Sequence, residues 1–179
     1  GTHQAIEDIA ITRVIPNLDV ISPCDSLEAK RATLAIAKTT KPTYLRLARE
    51  KTPIITTEET PFEIGTAQIY WLPDSGLAQV GIIATGALLY RALVAAKELE
   101  KEGIKVKVMN LSSIKPIDSE SIISLAKETK KIVTIEEHQI AGGMGSAVAE
   151  VLAQNFSVPI EFVGVHDKFG QSGTQEELI

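Results

Sequence analysis

Val133-Thr134-Ile135-Glu136-Glu137-His138-Gln139-Ile140-Ala141-Gly142-Gly143-Met144-Gly145-Ser146-Ala147-Val148-Ala149-Glu150 decides the fold class. A short apolar run gives way to polar residues, then to a glycine-rich turn, then to small and apolar residues at helical spacing. That is strand, turn and helix, one βα unit. The same alternation surrounds it. Residues 104–111 and 159–165 predict strands, with a further strand over 131–136 and helices over 118–130 and 145–155. Asp118 is placed to cap the first of these helices. Upstream, residues 62–72 and 79–85 predict two strands around the turn-rich Pro73-Asp74-Ser75-Gly76, suggesting an antiparallel start. Residues 87–102 predict a helix, with Gly103 at the C-cap. Short apolar strands separated by helices of ten or more residues imply right-handed crossovers. Residues 62–179 therefore read as a complete α/β domain of three layers, mostly parallel, with an antiparallel edge strand.

The first fifty residues read differently. Helix 4–14, strand 18–21, a helix opened by Asp25 with Glu28 in a capping-box-like relation, and a strand over 43–47 give two strands only. Such a sheet is too small to bury a core of its own and needs something the chain lacks. Residues 51–61, with two prolines and four threonines, read as a linker. Since the sequence opens on Gly1-Thr2-His3-Gln4 rather than Met, we expect it to be a piece of something longer.

Composition narrows the function. The 179 residues are 44% hydrophobic and 23% charged, with 18 basic and 23 acidic side chains, a net charge of −5 and a mean hydropathy of +0.10. Disordered, fibrous and membrane classes fall away. An acidic chain without a Lys/Arg cluster points away from nucleic acid, and no apolar stretch reaches the roughly 20 residues of a bilayer span. The single cysteine, Cys24, fits a reducing, cytoplasmic compartment and reads as buried filler.

In open parallel sheets, ligands bind beyond the carboxyl ends of the strands. The residues to weigh there are Thr85-Gly86, Ser112-Ser113, Glu136-Glu137-His138 and His166-Asp167. The turn at Gly142, Gly143 and Gly145 leads into a helix N-terminus and suits an anion; equally, the glycines serve a sharp turn packed close to the sheet. Glu136, His138, His166 and Asp167 have no recognised metal-ligand spacing, and strand-end polar groups more often cap helices and bond backbone; no metal is expected. No G-x-S-x-G, H-E-x-x-H or C-x-x-C pattern occurs. His3 and Arg49 carry definite chemistry if they act: imidazole exchanges protons or hydrogen bonds with hydroxyls, and guanidinium grips phosphate bidentately.

Taken in order, Gly1-Thr2-His3-Gln4-Ala5-Ile6-Glu7-Asp8, Arg13-Val14-Ile15-Pro16-Asn17, Ser22-Pro23-Cys24-Asp25 and Pro42-Thr43-Tyr44-Leu45-Arg46-Leu47-Ala48-Arg49 resemble the second half of the pyrimidine-binding domain of transketolases. Residues 133–138, 142–150 and Gly164-Val165-His166-Asp167-Lys168-Phe169-Gly170-Gln171-Ser172-Gly173 resemble the C-terminal domain of that family. The resemblance covers nearly the whole chain. It implies residues 1–50 as an incomplete pyrimidine-binding domain, 51–61 as linker and 62–179 as the C-terminal domain. It also implies a dimeric, thiamine diphosphate- and magnesium-dependent transferase of the pentose phosphate pathway, moving a two-carbon ketol unit between sugar phosphates. His3 matches the histidine that contacts substrate hydroxyls near the reacting carbons, a catalytic position. Arg49 matches the arginine that binds substrate phosphate. The glutamate that activates the cofactor, the aromatic residue stacked on it and the diphosphate–magnesium domain lie upstream in the family, and Glu7 is not that glutamate. The chain alone is accordingly expected to bind no cofactor and to be inactive, working as a homodimer or with an amino-terminal transketolase subunit. The alternatives are a portion of 1-deoxyxylulose-5-phosphate synthase or of a 2-oxo acid dehydrogenase β subunit, or a non-catalytic dimerisation or anion-binding module.

Overall fold

The strands form two mixed sheets of unequal size. The computed structural model describes residues 5–49, 51–171 and 173, so His3 lies outside the described residues. The larger sheet has five strands: β3 (Gln68–Trp71), β4 (Val80–Ala84), β5 (Val106–Asn110), β7 (Ile132–Gln139) and β8 (Ile160–Val165), in the order β3-β5-β4-β7-β8. The β4, β5, β7 and β8 neighbours pair parallel, and β3 runs antiparallel to β5 at one edge. Alternation of side chains sends Ile82, Ala84, Val106 and Val108 to one face, against Leu89, Ala92 and Ala96 of α3 (Leu88–Lys101). Ile83, Met109 and Ile132 face the other way, against Ile122 and Leu125 of α4 (Ser119–Thr129) and Val148 and Leu152 of α5 (Met144–Asn155). This is the expected three-layer α/β arrangement.

Local signals explain the boundaries. Asp118 Oδ1 accepts the Ser121 N–H at 3.0 Å and caps α4. After α3, Gly103 adopts φ +80°, the left-handed position that ends a helix. The antiparallel start is β3, which runs opposite to β4 and pairs with β5 rather than with β4. The residues of β4 after Val80 are buried throughout, so β4 takes a central place, while half-exposed β3 goes to the rim.

The smaller sheet holds β1 (Asp19–Ile21), β2 (Thr43–Leu45) and β6 (Ser113–Lys115), ordered β2-β1-β6. The sequence predicts only the first two. β6 comes from the later part of the chain and pairs antiparallel with β1, Val20 opposite Lys115 and Ile21 opposite Ser113. What the first fifty residues need is therefore partly supplied by the chain itself. Ile9 of α1 (Asp8–Arg13) and Val20 join the α4–α5 side of the core, and Cys24 joins the α3 side. The outer edge of β2 pairs with no described strand. Leu34, on α2 (Ser26–Ile36), is 56% exposed, and Leu47 is 61% exposed. Among the described residues, no helix is long and apolar enough to cross a membrane.

Candidate functional site

The carboxyl end of the larger sheet, where a ligand crevice is expected, is filled by the chain's own residues 5–22. Ser22 bridges it: its N–H donates to Ser112 O at 2.8 Å, and its carbonyl accepts from Gly86 N–H at 3.2 Å. His138, at the end of β7 and fully buried, accepts the Ile9 and Ala10 N–H groups on Nε2 at 3.1 and 3.3 Å, while Nδ1 lies 2.6 Å from Gln139 O. That pattern is an imidazole with its proton on Nδ1, satisfying the orphan donors at the start of α1.

Glu136 is buried as well, and its carboxylate lies across the glycine turn. Oε2 accepts the Met144 N–H at 2.6 Å and Oε1 the Gly145 N–H at 2.8 Å. The anion expected at Gly142, Gly143 and Gly145 is thus the chain's own side chain, seated on the positive end of α5. Burial pushes the Glu136 pKa up, and the two N–H groups pull it back only in part. A Cβ on Gly143 would fall onto the Glu136 carboxylate, and one on Gly145 would lie 2.5 Å from Thr134 Oγ1. These glycines permit close approach.

Consequently Glu136 and His138 are engaged elsewhere and form no metal set with His166 and Asp167. Among the described residues, no group of three or more His, Cys, Asp or Glu converges to hold a metal ion. His166 and Asp167 instead line an open hollow of about 400 Å³ with Glu7, Ala10 and Gln139. Cys24 is a buried free thiol, whose pKa burial and the neighbouring Glu28 push far up.

A second opening lies at the carboxyl ends of β1 and β2, a groove of about 390 Å³ bounded by Cys24, Asp25, Ser26, Leu47, Ala48 and Lys51. It faces the start of α2. Arg49, exposed, stands between two lining residues, Ala48 and Lys51. Asp25 closes the groove's floor with its acceptors fully used: Glu28 N–H and Thr56 hydroxyl on Oδ1 at 2.8 and 2.9 Å, and Ile55 and Thr56 N–H on Oδ2 at 2.7 and 2.6 Å. Burial opposes the charge, but these donors together hold its pKa below the usual carboxylate value.

A residue the sequence did not single out ties β2 to the start of α1 and the end of β7. Arg46 follows β2 directly; its Nε donates to Asp8 Oδ2 at 2.9 Å, and its Nη2 to Ala5 O and Glu137 O, each at 2.9 Å. Tyr44 OH donates to the same Asp8 oxygen at 2.8 Å. Nothing in a sequence marks main-chain carbonyls as ligands of an arginine; the available signal was a second arginine, three residues before Arg49.

Two domain families match this architecture, the transketolase C-terminal domain over residues 70–179 and the transketolase pyrimidine-binding domain over residues 1–54. The chain belongs to the transketolase family. It is 42% identical over 182 residues to a putative transketolase C-terminal section of Methanocaldococcus jannaschii, covering all of this chain and 55% of that protein. It is 39% identical to a 6-deoxy-6-sulfo-D-fructose transketolase subunit of Clostridium sp. strain MSTE9, covering 99% of this chain and 54% of the subunit. Among solved structures, a split-gene transketolase described as an inactive β4 tetramer superposes with a TM-score of 0.89 at 40% identity, over 95% of this chain and 55% of that one. A transketolase from Campylobacter jejuni shares the fold, with a TM-score of 0.75 at 20% identity over 99% of this chain and 26% of that one. The chain spans about half the length of its split relatives. Membership places it in a family of transferases.

The described residues do not fit a thiamine diphosphate–magnesium site. The helix N-terminus best suited to a diphosphate is taken by Glu136, and no metal-binding cluster is present among them.

Proposed function

We propose that the chain is the carboxyl-terminal part of a transketolase that moves a two-carbon ketol unit between sugar phosphates in the cytoplasm. It works as a homodimer or in assembly with an amino-terminal transketolase subunit. Residues 1–50 complete a pyrimidine-binding domain whose remainder is supplied by that other part, residues 51–61 link, and 62–179 form the C-terminal domain. Thiamine diphosphate, held with magnesium by the other part, supplies the carbanion chemistry. This chain supplies His3, which exchanges hydrogen bonds or protons with substrate hydroxyls, and Arg49, which binds the substrate phosphate.

The observation that carries the reading is the unfinished small sheet. The outer edge of β2 pairs with no described strand, and Leu34 of α2, Leu47 just past β2 and Ile54 are exposed. Apolar groups grouped beside an unpaired strand edge call for a covering partner. The groove beside Arg49 adds a cationic lysine, Lys51, which favours a phosphate.

Ketol transfer from xylulose 5-phosphate to ribose 5-phosphate tests the proposal. Activity is expected only when the chain is combined with an amino-terminal transketolase part. Arg49→Ala in that assembly should then raise the KM for the phosphorylated donor by about tenfold or more, reflecting a lost charge-assisted bond. Family-like rates from the chain alone would refute it, and pyruvate replacing xylulose 5-phosphate as donor would favour the 1-deoxyxylulose-5-phosphate synthase reading.

A further inference from the structure

The groove beyond β1 and β2 has two walls, and Asp25 joins them. One wall is the turn Pro23-Cys24-Asp25-Ser26 that leads into α2; the other is the irregular stretch carrying Lys51, Thr52 and Ile54. At the far end of that stretch the chain turns inward. Ile54 is 65% exposed, Ile55 packs against the Cys24 side of the core, and Thr56 is 4% exposed. The Asp25 carboxylate holds the chain at this point, accepting the Ile55 and Thr56 N–H groups on Oδ2 and the Thr56 hydroxyl on Oδ1. Farther along α2, Arg31 Nη1 donates to Thr57 O, and Lys30 pairs with Glu58. Of these three α2-side anchors, Asp25 is the one that lines the groove.

We infer that Asp25 is a positioning residue for an anionic ligand in this groove, because tying Ile55 and Thr56 to the start of α2 fixes where the wall bearing Lys51 stands. The inference rests on the groove being the phosphate site proposed above. Backbone stiffness carries the restraint from Ile55 to Lys51. Pro53 locks its own φ at about −65° and confines Thr52 before it to extended backbone, so few soft torsions separate the anchor from the lysine. An ammonium on a flexible stem gains most from a phosphate when its backbone is already in place. Asp25 works at a cost to the ligand, since a carboxylate in an anion groove repels the anion. That opposition gives the test a sign.

Asp25→Ser provides it. Serine still caps the Glu28 N–H but is too short to reach Ile55 and Thr56 as well, and it removes the negative charge. Coulomb's law alone then predicts tighter phosphate binding; the positioning role predicts weaker binding. With inorganic phosphate titrated into the full chain to tens of millimolar, the Lys51 and Thr52 amide signals should shift and saturate in the wild type, and the Kd should rise by about fivefold or more in the variant. Amide exchange at Ile55 and Thr56 should quicken by about tenfold, with that of Ala92 in α3 unchanged. The wild type supplies a reading that needs no variant. Coupling is reciprocal, so saturating phosphate should slow exchange at Ile55 and Thr56. Lys30→Ala, which removes an exposed ion pair, should leave all of these unaltered. In the combined enzyme, Asp25→Ser should raise the KM for xylulose 5-phosphate by about fivefold or more with kcat within about twofold, while the KM for unphosphorylated xylulose stays as it was. Phosphate binding that is equal or tighter in Asp25→Ser would overturn the inference. So would the absence of any phosphate shift at Lys51 and Thr52 in the wild type, or exchange at Ile55 and Thr56 that phosphate leaves unchanged. If the wild-type combination shows no ketol transfer, the functional reading fails, and the titration and exchange arms still decide the role of Asp25.

Discussion

Replacing Asp25 by alanine should loosen the small sheet from its following segment. The carboxylate caps α2 through the Glu28 N–H and also holds Ile55 N–H, Thr56 N–H and the Thr56 hydroxyl. Loss of a helix N-cap costs about 1 kcal/mol. Thr56 is 4% exposed, so its N–H and hydroxyl become buried donors without acceptors, at about 1–3 kcal/mol each if nothing moves. Residues 51–61 contain no helix or strand, so they can shift toward water and recover part of that. A net loss of about 3 kcal/mol is expected. With a urea m-value near 2 kcal/mol/M, the midpoint drops by about 1.5 M. The pH dependence supplies a second signature. The Asp25 pKa is depressed in the folded state, so its stabilisation is fully present above the unfolded value of about 3.9 and disappears as pH falls through the lower, folded value. Urea titrations of both proteins should therefore differ by a constant amount above about pH 5 and begin to narrow only as pH falls below about 4. A loss under about 1 kcal/mol, or a difference that stays constant into acid, would show that Asp25 does not serve four donors.

Gly143→Ala should cost about 2–3 kcal/mol by overpacking, because the new methyl group meets the Glu136 carboxylate; calorimetry that finds the variant as stable as the parent would contradict this. His138→Phe keeps a buried ring, slightly larger than imidazole, but strips the Ile9 and Ala10 N–H groups of their acceptor, with about 2–3 kcal/mol lost in urea titration and faster exchange at those two amides. Inorganic phosphate at millimolar concentration should leave the melting midpoint unmoved at the glycine turn, because Glu136 already fills it. A rise of several degrees that Gly143→Ala abolishes would mean that phosphate displaces the carboxylate.

The parts of the fold legible in the sequence are those whose signals are local. α3 and α4 carry long apolar periods with an obvious stop or cap in Gly103 and Asp118, and β4, β5 and β7 are short apolar runs between them. β6 has no such signal. Ser113-Ile114-Lys115 contains one apolar residue, and it is a strand only because β1, some ninety residues earlier, lies beside it. Asp25 was readable as a cap of α2 but not as the anchor of Ile55 and Thr56, since those bonds run to backbone N–H groups that every sequence possesses. Arg46 was hidden for the same reason. Glu136 and His138 were visible as strand-end polar groups; that one fills a helix N-terminus and the other caps α1 depended on which chain segment came to lie above them.

That last point bears on where a ligand can go. In the five-stranded sheet the chain passes from β4 to β5 on one side and then, by way of β6 and α4, to β7 on the other side of β4, so the crevice at this switch point is where an open α/β sheet ordinarily binds its ligand. Here Ser22 spans Ser112 and Gly86, α1 sits on His138, and Glu136 closes the turn, so the polypeptide takes the place of the ligand. The rule then applies to the other parallel pair. β1 and β2 end at the groove between Ser26 and Lys51, next to Arg49 and at the start of α2. This opening is bordered by Lys51 with Arg49 near it in sequence, and the outer edge of the adjoining β2 pairs with no described strand. A small anionic substrate and the partner that completes the sheet are therefore expected to meet on the same side of the molecule.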